Sequence, residues 1–71
     1  MSGDPVAEYA DRINALRQKG VAGLLELAST CREAEAVLNA AQQDALCEML
    51  LMRKGRFRAL ARFACTTPKT S

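Results

Sequence analysis

Apolar residues recur along this chain at steps of three and four, with no run of strict alternation, so the pattern predicts helices throughout and no strand. Val6, Tyr9, Ile13 and Leu16 make the first stripe, at spacings of 3, 4 and 3. Asp4 can cap this helix, Pro5 suits its first position, and Glu8 lies near the positive end of the helix dipole. Lys19 and Gly20 read as a basic last turn and a C-terminal glycine. Helix one is expected over about 5–18.

Val21, Leu24, Leu25 and Ala28 form a second apolar face, which predicts a short helix over about 21–29, with Gly23 as a close-packing site. Two local motifs then compete. Thr30-Cys31-Arg32-Glu33 and Asn39-Ala40-Ala41-Gln42 both match a capping box, in which the first side chain caps and the last reaches back. On one continuous wheel, Ala34, Val37, Leu38 and Ala41 centre roughly 120° from Leu46, Met49 and Leu50. A break near Asn39 removes that conflict. The expectation is a third helix over about 31–38 and a fourth over about 40–54.

Beyond it, Leu46, Leu50, Arg53, Phe57, Leu60 and Ala64 alternate spacings of 4 and 3. That is a coiled-coil-like seam with one charged member, which would need a partner for its guanidinium or a turn toward water. A helix continuous over 40–64 would be ~37 Å long at 1.5 Å per residue. The alternative is a stop at Lys54-Gly55 with a separate helix over 56–64. A kinked, near-continuous helix is the favoured expectation, ending at Thr66-Thr67-Pro68, with 65–71 as a frayed tail. The fold class is thus all-α: one small domain over 1–71, a bundle of 3–5 helices whose long C-terminal helix pairs in a dimer. Leu46, Leu50, Phe57 and Leu60 are the expected self-association seam.

Size supports that expectation. The chain has 71 residues, 49% of them apolar, with no Trp, one Tyr and two Phe. Domains shorter than about 70–80 residues rarely draw more than about 3–5 kcal/mol from one core, and often recruit a disulfide, a metal or a second chain. Cys31, Cys47 and Cys65 are spaced by 16 and 18 residues and there is no His. Zinc ligands come at short spacing, so no metal or other cofactor is expected. An odd cysteine count suits reduced apolar fillers better than a disulfide framework, with an intermolecular bridge through Cys65 as the alternative. The acidic N-terminal region does not read as a signal peptide, and the longest apolar run is the four residues Met49 to Met52. A cytoplasmic protein with no membrane contact is expected.

Charge changes the picture most. Residues 1–48 hold four basic and eight acidic side chains, net −4, whereas 49–71 hold six basic and none acidic, net +6. Arg53, Lys54, Arg56, Arg58 and Arg62 are half the basic residues of the chain. On a wheel, Arg58 and Arg62 stack one turn apart while Phe57, Leu60, Ala61 and Ala64 share another face, with Phe63 at the polar flank. The plainest reading is a solvated helix end, since the dipole favours cations at a C-terminus. The functional reading is a docking surface of Arg53, Lys54, Arg56, Arg58, Arg62 and Phe63 for a larger protein with an acidic surface. Nucleic-acid binding by the same cations is the alternative; it has against it the acidic remainder of the chain and the lack of a helix-turn-helix pattern. Catalysis has little support. There is no His and no glycine-rich phosphate loop, Glu33 and Glu35 diverge on a helix, and Cys31 beside Arg32 is the nearest approach to an activated thiol.

Two short bacterial families are locally similar. Tyr9-Ala10-Asp11-Arg12-Ile13, Ala40-Ala41 and Glu48-Met49-Leu50 resemble the Hha/YmoA nucleoid co-regulators, whose Ala-Ala-Asp-His signature this chain lacks. Glu8, Leu16, Gly20-Val21-Ala22 and Ala34-Glu35-Ala36-Val37 resemble the theta subunit of the bacterial replicative polymerase, whose central Pro and aromatic positions are missing here. Both resemblances imply a helical, non-enzymatic accessory that binds something larger. The sequence therefore points to a homodimeric interaction or regulatory protein.

Overall fold

The computed structural model describes residues 4–66, and there the chain is helical with no strand. α1 spans Pro5–Gln18, α2 Leu24–Val37, α3 Ala40–Leu50 and α4 Lys54–Thr66, with a 3₁₀ turn at Gly20–Gly23. The small helical bundle is as expected. Residues 67–71, most of the expected frayed tail, lie outside the described residues.

α1 starts and stops where its signals lie. Asp4 Oδ1 accepts the Val6 amide at 3.2 Å, and Gly20 takes the left-handed φ of 67° that stops the helix. Gly23 then brings the 3₁₀ turn against the end of α1. A Cβ there would stand 2.9 Å from the Leu16 carbonyl oxygen, so only glycine fits.

The expected break at Thr30 is absent. One helix runs through it, because Leu27, Ala28, Cys31 and Ala34 keep a single buried stripe in phase across that position. Burial of that stripe outweighs a surface capping box of about 1 kcal/mol. Thr30 is itself buried, and Glu33, instead of closing a box, accepts the Tyr9 hydroxyl at 3.2 Å.

The Asn39 box does form. Asn39 Oδ1 accepts the Gln42 amide at 2.8 Å and Gln42 Oε1 accepts the Asn39 amide at 3.0 Å. Gln43 Nε2 donates to the carbonyls of Leu38 and Glu35 (2.8 and 3.1 Å), satisfying the end of α2.

A second correction concerns the expected helix from 40 to 64. α3 ends at Leu50, and Leu51 adopts a left-handed conformation, φ 53° and ψ 44°. The Met52 amide bonds to the Cys47 carbonyl at 2.9 Å and the Leu51 amide to the Glu48 carbonyl at 3.1 Å. This is a Schellman stop with leucine where glycine is usual. Arg17 Nη1 donates to the Leu50 carbonyl at 2.8 Å, a cation on the negative end of α3. Gly55 lies in the first turn of α4 rather than at the break. The physical gain is burial: α4 folds back chiefly onto α2 and carries Phe57, Leu60 and Ala61 into the core.

That core joins all four helices. Ile13, Cys31, Ala34, Leu46 and Phe57 lie at its centre, with Val6, Tyr9, Leu38 and Leu50 around them. The four expected seam residues, Leu46, Leu50, Phe57 and Leu60, are 0, 2, 1 and 8% exposed within one chain. They do not form a surface for a second copy. Segments of one chain, folded onto a shared core, satisfy the same periodicity that a dimer would.

Candidate functional site

The break at Leu51–Arg53 decides where the basic residues stand. Arg53 precedes α4 and gives its carbonyl to the Phe57 amide at 3.0 Å, while its side chain faces outward. Lys54 and Arg56 occupy the first turn, which holds no acidic residue. These cations therefore crowd a helix N-terminus, where the dipole disfavours positive charge by about 0.3–1 kcal/mol each. The solvated-C-terminus reading does not fit them. Lys54 Nζ is relieved by Asp44 Oδ1 at 3.0 Å, a surface pair with both side chains more than half exposed.

The expected cluster is not one patch. Arg56 joins Leu24, Ala59, Leu60 and Phe63 around an apolar hollow of about 240 Å³. Val21 and Leu25, beside Leu24 in sequence, are also exposed, as is part of Phe63. Arg58 and Arg62 lie on another face, where they line a smaller hollow of about 160 Å³ with Ala61 and Glu35. Glu35 there sets a carboxylate against any incoming phosphate. The structure thus separates Arg56 and Phe63 from Arg58 and Arg62, and leaves Arg53 and Lys54 at the head of the helix.

One surface residue escaped the sequence reading. Leu51 is 91% exposed, and with Met52 and Arg53 it lines two hollows. One is lined by Asp44, Cys47, Glu48 and Lys54, the other by Arg17, Leu27, Arg56 and Leu60. The signal was the apolar run Met49 to Met52, which no single helix face can bury whole; Met49 too is exposed.

The fold places Cys31 and Cys47 in the core. Cys31 is fully buried, and burial, with the nearby Cys47 thiol adding, pushes its pKa up to about 11. Burial likewise raises the Cys47 thiol, with Asp44 adding and Lys54 and Arg58 partly opposing. Both sulfurs stay protonated at neutral pH and serve as core filler. The Cys65 side chain, offered above as the alternative site of an intermolecular bridge, lies outside the described residues. Among the described residues no three His, Cys, Asp or Glu side chains converge as a metal site would require, and no helix is long and apolar enough to cross a membrane.

Comparison with known proteins finds no matching family model, no matching curated protein and no matching solved structure. The local similarities at Tyr9–Ile13 and Gly20–Ala22 therefore carry no family assignment.

Proposed function

We propose that this is a small, non-enzymatic interaction protein of the cytoplasm, self-associating, that binds and modulates a larger protein by receiving an acidic segment of it along α4. The observation that carries the reading is the placement of Arg53, Lys54 and Arg56 at the head of α4, against the dipole and beside an apolar hollow. Cations held where the fold itself disfavours them are offset by an anion from outside. A carboxylate there meets Arg53, Arg56 and the first-turn amides of the helix, which have no intrahelical partner. An adjacent apolar side chain enters the hollow of Leu24, Ala59, Leu60 and Phe63. Arg58 and Arg62 extend the positive field and speed encounter more than they hold the complex. Nucleic acid is the runner-up, disfavoured by Glu35 in the hollow that those two arginines line.

The test is affinity capture from the native host with and without nuclease, using wild type, Phe63→Ala, Arg56→Ala and the double variant Arg58→Ala/Arg62→Ala. The reading expects a protein partner that survives nuclease and is lost with Phe63→Ala and Arg56→Ala. A gel shift near physiological salt is the counter-test. Nucleic-acid binding that falls steeply with salt, at a slope of about −0.9 per phosphate contact, and that the double arginine variant abolishes while Phe63→Ala leaves it intact, would replace this reading with the other.

A further inference from the structure

We propose that the hollow lined by Arg17, Arg53 and Arg56 receives a phosphorylated tyrosine of the partner's acidic segment. The inference rests on that functional reading and sharpens it, naming the anion that Arg53 and Arg56 take. It starts from a comparison of neighbouring hollows. Arg58 and Arg62 share theirs with Glu35, and Lys54 shares its own with Asp44 and Glu48. The hollow of about 260 Å³ between α1, α2 and α4 has three guanidiniums in its lining and no carboxylate. Arg53 borders both this hollow and that of Lys54, yet neither Arg53 nor Arg56 makes an ion pair among the described residues.

Three like charges round so small a space repel, and an anion relieves them. The count favours one kind of anion. A phosphate monoester carries about −1.5 to −2 charges at neutral pH and three strong acceptor oxygens. That is one oxygen for each guanidinium and most of the charge needed to balance them. A carboxylate brings two oxygens and a single charge, and leaves two of the three cations uncompensated. Arg17 is already set for the role. Its Nη1 donates to the Leu50 carbonyl at 2.8 Å, which fixes the fork and leaves its remaining N–H groups to donate elsewhere. The floor indicates what carries the phosphate. Leu27 and Leu60 are buried there beside the half-buried Met52. An aromatic ring between phosphate and backbone covers such a floor, whereas phosphoserine holds its phosphate one carbon from the backbone. The space is smaller than the roughly 300–1,000 Å³ of a small-molecule pocket, so it suits one side chain rather than a nucleotide.

Fluorescence anisotropy of the full chain at near-physiological salt tests this. The probes are three labelled glutamate-rich peptides with tyrosine, phosphotyrosine or phosphoserine at the centre. The phosphotyrosine peptide should bind at least about tenfold more tightly than the tyrosine peptide, and more tightly than the phosphoserine one. Arg53→Gln, at an exposed side chain, should remove most of that gain with helicity unchanged. Arg17→Gln should do the same. Arg32→Gln, which loses the same charge away from the hollow, should keep the gain. Phe63→Ala, beside the neighbouring hollow, should weaken the tyrosine and phosphotyrosine peptides alike. The inference is overturned by equal binding of those two peptides, by a phosphoserine peptide that binds as well, or by no binding of any of the three. A gain that survives Arg53→Gln or Arg17→Gln, or that Arg32→Gln also removes, overturns it too. None of these results decides the acidic-segment reading, which stands or falls by its own capture assay.

Discussion

Replacing Leu51 with glycine should make the isolated chain more stable, although it deletes a large apolar side chain. Leucine at φ 53° and ψ 44° pays about 1–2 kcal/mol for the left-handed conformation. Glycine relieves that cost but adds unfolded-chain entropy of roughly 0.5–1 kcal/mol. With the side chain 91% exposed, less than a tenth of the usual 1.5–3 kcal/mol for burying a leucine is lost, about 0.2 kcal/mol. The balance is a gain of about 0.5 kcal/mol, which for a domain of this size raises Tm by roughly 2–4 °C. Thermal melts followed by circular dichroism, in samples dilute enough to be monomeric, measure it. A drop of several degrees would refute the reasoning, since it would mean that Leu51 supports packing within the chain.

The remaining predictions address the core, the cap and the thiols. Phe57→Ala, at a side chain 1% exposed, should cost about 3–5 kcal/mol and leave the domain largely unfolded, whereas Phe63→Ala, at a side chain 41% exposed, should cost less and leave it folded. Asn39→Ala removes the side-chain arm of the capping box, leaving the Gln42 side chain its backbone amide, and should cost about 1 kcal/mol, with faster amide exchange at Gln42. Cys31 should resist alkylation in the native state and react promptly in denaturant. Its raised pKa also has a sign: the folded state holds the thiol proton more tightly than the unfolded one. The resulting stability is fully present below pH 9.0 and is lost as pH rises toward about 11, which denaturant titrations across that window will show.

Local signals in the sequence told most about the fold where nothing distant opposed them. The Asp4 cap, Pro5, Gly20 and the Asn39–Gln42 box each act within a turn or two, and each sits where it was read. The Thr30–Glu33 box has the same local form, but the continuous stripe through Leu27, Cys31 and Ala34 outweighs it. The turn before α4 was hidden because its left-handed residue is a leucine, while Gly55, the conspicuous breaker, lies inside the helix. The 4–3 repeat of Leu46, Leu50, Phe57 and Leu60 said correctly that these residues are buried. It could not say by what, because a helix folded back on its own chain meets the same spacing as a helix from another copy. The candidate site was legible as a composition, five cations and a Phe, but not as a geometry. Its division into separate faces, and its clash with the dipole, follow from where α4 begins.

Tyr9 has a practical consequence of its own. It is the only tyrosine, the chain has no tryptophan, and its hydroxyl donates to the Glu33 carboxylate across the contact between α1 and α2. A phenol bound to a carboxylate emits weakly, because the excited state passes its proton to the acceptor. Separation of α1 from α2 should therefore brighten the protein's intrinsic emission, with no label added. Helix content reports the whole chain, so optical and dichroic unfolding curves watch different parts of it. Curves that coincide make the bundle one cooperative unit, and curves that part show α1 leaving before the rest.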